Sequence, residues 1–346
     1  MELIAASGVV GGARVASRGA TMSALSPSAH IDTQHEDHIH DCQWDYYARR
    51  LATASSDRTV KVWNVEAESH ALSATLTGHD GPVWEVAWAH PQYGTVLASC
   101  SYDGTVLVFK EDGPGRWSVV HKFAPESSQP VSINSIEFAP SAFGQLILAC
   151  ASSDGHVTVL RHDAATAEWG QDRFLASPLG TNAVSWAPLG VNGSTRDDGS
   201  PILRLATGSA DCLVKVWSAS LPDEHTGAVH WDAEPMADGG KLHKAWVRDV
   251  AFCPFYGVPQ PCLASCSEDK SVYVWCRGDL EMSWTPKKVV VLEQPCWRVN
   301  WSVTGNILAV SSGDDDVSMW KETIQGEWFQ LGEPEKLTNG AAAPPN

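Results

Sequence analysis

A thirteen-residue pattern occurs six times along the chain and limits what it can fold into. The copies are LATASSDRTVKVW (51–63), LASCSYDGTVLVF (97–109), LACASSDGHVTVL (148–160), LATGSADCLVKVW (205–217), LASCSEDKSVYVW (263–275) and LAVSSGDDDVSMW (308–320). Each has a run of small residues, an aspartate, then alternating apolar residues ending in a bulky side chain. The aspartates are Asp57, Asp103, Asp154, Asp211, Asp269 and Asp314, at intervals of 45 to 58 residues. A short carboxylate that accepts from nearby backbone N–H groups suits a tight hairpin between two strands. The small residues let neighbouring sheets approach, and the alternation turns one side of the second strand into a core. A short apolar strand ending in an aromatic precedes each copy: Trp44, Trp88, Phe138, Trp186, Phe252 and Trp301. Four of these run into a proline (Pro91, Pro140, Pro188, Pro254), which marks a strand end.

Each unit reads as strand, loop, strand, tight turn, strand, and a fourth strand before the next unit. Four strands in about 40 to 45 residues is the pattern of a WD40 β-propeller blade. The longer intervals carry insertions at 189–201 and 221–240. The resemblance to the WD40 family covers about residues 35 to 335, so the expected fold is all-β with six blades. Two copies end in Phe109 and Leu160 rather than tryptophan, and the Gly-His pair of the family stands only at Gly78-His79. Those two blades are expected to lack a full His–Ser–Asp–Trp hydrogen-bond network. Residues 29–336 are assigned to the propeller. Residues 1–28, rich in Gly, Ala and Ser with Arg14 and Arg18, are expected to be a disordered leader, a transit peptide being the other reading. Residues 337–346 are expected to be a disordered tail.

Strand counting bears on ring closure. The inner strands VNW, ILAVSS and DVSMW of the last unit are followed by EWFQLGEP (327–334), which supplies its fourth strand. The last blade is therefore full without borrowing, while AHIDT (29–33) forms a strand with no blade to enter. The expectation is an open ring with an unpaired edge beside blade one, and an exposed edge asks for a cover. A partner that donates strands would complete a seventh blade in trans. Candidates for lining this seam are Ile31, Ile39, Cys42 and Trp44 on blade one and Trp297, Val299 and Trp301 on blade six; the competing reading places each in the core of its own blade.

Composition narrows the chemistry. The net charge of −17, from 41 acidic against 24 basic residues, disfavours direct nucleic-acid binding and adsorption to anionic membranes. Nine cysteines without a CxxC pair read as buried free thiols in a reducing compartment. The run HEDHIHD (35–41) offers His35, His38 and His40 with Asp37 and Asp41, but no further ligands at zinc-like spacing. The plainer reading is a loop of blade one in which His38 orients the tight turn. Asp249 and the turn aspartates assemble no catalytic motif: GxSxG, HExxH and a phosphate-binding glycine loop are all missing from the sequence. The expectation is a protein without catalytic residues, metal or cofactor.

Several stretches are more specific than a generic blade: IHDCQWDYYARRLATASSDRTVKVW (39–63), the segment from TLTGHDGPVWEVAWAHP to GPGRW (75–117), WVRDVAF (246–252) and WRVNWSVTGNILAVSSGDDDVSMWKE (297–322). Together they resemble the Sec-thirteen (Sec13) family, the small WD40 subunit of the outer COPII coat. The resemblance implies an open six-bladed propeller on the cytosolic side of ER membranes and on COPII vesicles, serving ER-to-Golgi transport. It implies a seventh blade inserted by a Sec-thirty-one-like coat protein, or by a nucleoporin of the Y-shaped nuclear pore complex. It further implies a place in a nutrient-signalling (TORC1) complex. A sibling nuclear-pore propeller, Seh-one, shares the VWxVxWAHP and WRVxW segments; DCLVKVW and WVRDVAF favour the coat subunit. A closed propeller that reads peptides on its top face is the alternative from a different functional class.

Overall fold

The computed structural model describes residues 2–4, 30–66, 69–189, 195, 201–219, 229–254, 260–278, 283–313 and 316–332. Six four-stranded antiparallel sheets, each made of four consecutive strands, form the six blades of the propeller. Their inner strands are Ile39–Trp44, Val83–Trp88, Ile133–Phe138, Thr181–Trp186, Val247–Phe252 and Cys296–Trp301. The fourth strand of blade six is Trp328–Gln330, from the chain's own downstream segment, so among the described residues no strand is exchanged between the two ends. Among the described residues no helix is long and apolar enough to cross a membrane.

The inner strands share one irregularity. In all six the register against the second strand shifts between the first and third residues, from Ile39/Asp41 in blade one to Cys296/Arg298 in blade six. A bulge at this point swings the second residue out of the pleat and re-aims it. The second strands of blades one to five are buried almost throughout because their small residues admit a sheet on either side, as in RLATAS (Arg50–Ser55) and VLASCS (Val96–Ser101).

The aspartate turns repeat in detail. Asp57, Asp103, Asp154, Asp211 and Asp269 each accept from the backbone N–H two residues on. The residue after each aspartate has a positive φ: Arg58, Gly104, Gly155, Cys212 and Lys270. The short side chain thus fastens a left-handed turn that only glycine adopts without strain. Asp314 lies outside the described residues.

Three of these turns are tied to a histidine. His35 Nδ1 lies 2.6 Å from Asp57 and its Nε2 2.8 Å from Thr53 Oγ1, which also accepts from Trp63 Nε1. With a neutral ring, one proton arrangement satisfies this chain. A carboxylate can only accept and an indole can only donate, so Nδ1 carries the hydrogen and Nε2 takes the threonine hydroxyl. Burial pushes the His35 pKa down, which suits a neutral ring. Blade five repeats the chain with His243, Asp269, Ser265 and Trp275. In blade two His79 reaches Asp103 and Ser99, and Phe109 ends the chain without a donor. Blade four has a tryptophan but no histidine: Ser177 donates to Asp211, and Trp217 bonds Thr207 separately. In blade three Arg173 holds Asp154. His35, not His38, therefore serves the turn of blade one. Gln34 and Leu242 stand where the sequence pattern asks for glycine, Gln34 with φ of 50°.

Neighbouring blades pack face to face through five buried clusters. The first joins Ala52, Ala54, Val60 and Val62 of blade one to Val86, Leu97 and Phe109 of blade two. Others join blades two and three, three and four, four and five, and five and six. Among the described residues no such cluster joins blade six to blade one. What the open ring leaves bare is thus a pair of sheet faces, not the strand edge that counting suggests, because propeller blades stack by their faces. The blade-one face carries Leu51 and Trp63, covered by Ile31 of the strand His30–Asp32. Within the expected leader, Glu2–Ile4 pairs antiparallel with His30–Asp32; residues 333–346, which include the expected tail, lie outside the described residues.

Asp269 accepts from His243, from the Ser271 N–H and hydroxyl, and from the Lys244 N–H. Burial alone would raise its pKa, but these bonds outweigh it and hold the carboxyl far below the ordinary range. Replacing it by alanine orphans several donors at once. Asp269→Ala is expected to lose about 2–3 kcal/mol, read as a lower urea midpoint at pH 7; an unchanged midpoint would show that the turn residues alone hold the hairpin.

Candidate partner-binding seam

The residues that define the seam come from comparing equivalent positions in successive blades. Ala52, Ala54, Val60 and Val62 of blade one face blade two, and Val60 and Val62 are 1% and 0% exposed. Their counterparts in blade six are Ala309, Ser311, Val317 and Met319, which have no following blade to meet. Val317 is 57% exposed, and the other three are part-exposed. The opposite wall is the blade-one face, where Cys42 is exposed while its counterparts Val86, Ile136, Val184, Val250 and Val299 are all buried.

Position within the inner strand decides direction. The fourth and sixth residues face the preceding blade. Val299 is therefore core against blade five, with its N–H bonded to Asp249, and Trp301 donates its indole N–H to the Ala251 carbonyl of that same blade. These two do not line the seam. By the same rule Cys42 and Trp44 do, since the blade that would precede theirs is the missing one. Ile31 is buried at the outer end of that wall. Ile39 and Trp297 stand at the rim of a cavity on the face of the disc, with His40, Trp84 and Arg298. Trp297 is 41% exposed, is covered in part by Arg248 at 5.1 Å and donates to the Gly313 carbonyl.

The inner strands are linked by hydrogen bonds that run one way round. In blade one, Asp41 accepts from the Val86 N–H of blade two, at 3.1 Å. Glu85 accepts from the Ile136 N–H, Ser135 from the Val184 N–H, and Asp249 from the Val299 N–H. One step along, Glu137 accepts from the Trp186 N–H and Ser185 from the Phe252 N–H. In every link the acceptor is in one blade and the donor in the next. Blade six breaks the series: its third position is Arg298, a cation, which reaches Glu85 Oε1 at 2.8 Å. This lattice is not legible in any one blade's sequence. The signal was present as an Asp, Glu or Ser three residues before the aromatic, but its meaning depends on blades 45 or more residues apart.

This lattice encloses several acids along a central cavity lined by all six inner strands. Burial pushes Asp41 up to about 6, Asp249 to about 7 and Glu137 to about 8. His35, offered by sequence as a metal ligand, is already committed to Asp57 and Thr53, and His40 to Ser56. What the arrangement can do is dock a sheet: two open faces, a set of backbone and indole donors on one wall, and apolar side chains on the other.

These features define a WD-repeat β-propeller with an open seam. The description "WD domain, G-beta repeat" matches residues 27–64, 71–110 and 241–276. The first match begins ahead of His30–Asp32, in keeping with a repeat that starts on the outer strand of the preceding blade. The chain belongs to the Sec13 family. It is 42% identical over 87% of its length to the protein transport protein sec13 of Emericella nidulans, covering 96% of that protein. It is 39% identical to the Drosophila melanogaster SEC13 homolog, over 87% of this chain and 82% of that one. It is 39% identical to the Mycosarcoma maydis protein transport protein SEC13, over 92% and 97%.

The raised carboxyls give a signed pH dependence. Folding raises the pKa of Glu137, so the native state holds a proton that the unfolded chain releases. Its contribution to stability falls as pH rises from about 4.5 to about 8 and is level above. Glu137→Gln keeps an oxygen for the Trp186 N–H and removes the titration. Unfolding free energies from urea titrations at pH 5 to 8.5 are expected to decline less steeply in the variant, by at most about 1.4 kcal/mol per pH unit. Parallel curves for the two proteins would rule out Glu137 as the source.

Proposed function

We propose that this chain is a non-enzymatic scaffold for protein transport, a rigid disc that receives one blade from a strand-donating partner. The observation that carries the reading is the bare face of blade six: Val317 is 57% exposed where its counterpart Val60 is 1% exposed. Burying a valine or methionine side chain contributes roughly 1.5–3 kcal/mol, so a partner sheet laid here gains apolar contact on both walls. The strand His30–Asp32 supports the same reading. It precedes His35 as Ser69–Leu76 precedes His79, and Ile31 packs on Leu51 and Trp63 as Leu76 packs beside Leu97 and Phe109. It stands where the outer strand of a seventh blade belongs, which leaves the inner strands to the partner.

The names of the relatives, protein transport proteins, support a role for this scaffold in vesicle traffic. Its partner is then a Sec-thirty-one-like protein of the COPII outer coat, on membranes that the chain reaches through the coat. The same seam suits a Y-complex nucleoporin, a second assembly for one scaffold. A completed ring stiffens a joint that the partner alone would leave loose, and that mechanical effect is the function.

Co-expression with the strand-donating segment of a Sec-thirty-one-like protein tests this. The complex is expected to melt at least 5 °C above the chain alone, since a ligand that binds only the native state stabilises it. Amide exchange is expected to slow across Asp316–Glu322 and Ile39–Trp44. A complex that forms elsewhere, leaving both strands as open as before, would overturn the seam.

A further inference from the structure

We propose that Trp44 sets the register of the entering blade, by donating its indole N–H to a main-chain carbonyl on the partner's inner strand. The inference rests on the strand-donating reading above and adds which atom of the seam reads the partner.

The basis is a link repeated inside the ring. Where the sixth residue of an inner strand is tryptophan, its indole N–H donates to the carbonyl of the fifth residue in the preceding blade. Trp88 donates to the Gln43 carbonyl at 2.9 Å, Trp186 to Glu137 at 2.9 Å, and Trp301 to Ala251 at 3.0 Å. Three different fifth residues serve equally, because the acceptor is backbone. Trp44 is the fourth tryptophan at this position, in the strand Ile39–Trp44. Its preceding blade is the missing one, and its indole nitrogen has no hydrogen-bond partner among the described residues. It is part-buried against Ile31, Leu51 and Trp63, which hold the ring on the wall of the seam.

The repeated geometry fixes what the partner must present. Its inner strand lies face to face with Ile39–Trp44, with the carbonyl of its fifth residue opposite the Trp44 indole. Sliding the partner by one residue would turn that carbonyl to the other side of the pleat and leave a buried indole N–H unmatched. Cys42 sits one step up the same wall. In the other blades the N–H at its position is taken by an Asp, Glu or Ser at the third position of the blade before, in blades two, three, four and six. In blade five, which follows a blade with Ala183 at the third position, the Val250 N–H turns to its own Asp249, and the Cys42 N–H likewise bonds Asp41, so the partner strand is free at this point and the Trp44 link alone fixes its register. On the far wall, Asn300 holds the fifth position, where Glu137 and Ser185 accept N–H groups from their next blades. Its exposed carboxamide oxygen is placed to accept from the partner in the same sense.

The test uses the full chain and the strand-donating segment of a Sec-thirty-one-like protein. Trp44→Phe removes the donor and keeps a ring that this position accommodates elsewhere, at Phe138 and Phe252. The variant should fold as the wild type does and bind the segment roughly 5- to 100-fold more weakly, the effect of leaving a buried carbonyl unpaired. In parallel, 15N-labelled tryptophan side chains are followed by NMR, with the Trp44 indole peak identified by its loss in the variant. On adding the segment to wild type, solvent exchange at that N–H should slow at least tenfold. Binding of wild type with unchanged Trp44 exchange, or binding of the variant within twofold of wild type, overturns the register role and leaves strand donation standing. Failure of wild type to bind the segment at all overturns both.

Discussion

The disc is held in order by a hydrogen bond that crosses from one blade to the next near its axis. An acceptor on one inner strand takes a backbone N–H of its neighbour, as Glu85 does with Ile136 and Asp249 with Val299. The apolar clusters between blades supply most of the cohesion, but apolar contact is indifferent to small slips. The polar link is not. It costs a buried N–H if the blades misalign, and so it fixes the height of each sheet relative to the last. The bulge repeated in all six inner strands belongs to the same device, since it brings the second residue to bear on the next blade. Trp84 reaches Ser132, Asn134 reaches the Thr181 carbonyl, and Asn182 reaches that of Val247.

How much of this could be read in advance follows from how local each interaction is. The aspartate turns were legible because donor and acceptor lie two residues apart. The six blades and the self-sufficient last sheet were legible because a strand repeats its pattern within about ten residues. The pattern points to His38 as the histidine of blade one, three residues too late, because Gln34 takes the left-handed conformation that the pattern reserves for glycine. The seam was half legible. Cys42 and Trp44 face it, whereas Val299 and Trp301 face the other way. Sequence alternation says that residues share a face, not which neighbour that face meets. Val317 and Met319 could have been found by laying blade six over blade one and asking which apolar residues lose their neighbour.

Arg298 is the exception that the ring tolerates. At its position the other blades carry acids, a serine or an alanine, and an acid there would have added to the charge of Asp41, Glu85 and Asp249. Its guanidinium instead reaches Glu85 and lies near the other two. The last blade is thus tied electrostatically to the second one across the cavity, while among the described residues no buried apolar cluster joins it to the first. Surface charge is of little account for such a pair; what matters is that several carboxyls share one cation inside a confined space, where burial raises Asp41 and Asp249 and Arg298 offsets only part of the rise.

A ring cut in one place behaves as a circlip. Each of the five packed contacts between blades has some angular play, and around an uninterrupted disc that play would cancel. Here it accumulates, so the spacing between first and last sheets reports on every contact between them, including those on the far side. A substitution deep between blades three and four can therefore alter the width of the opening without touching either of its walls.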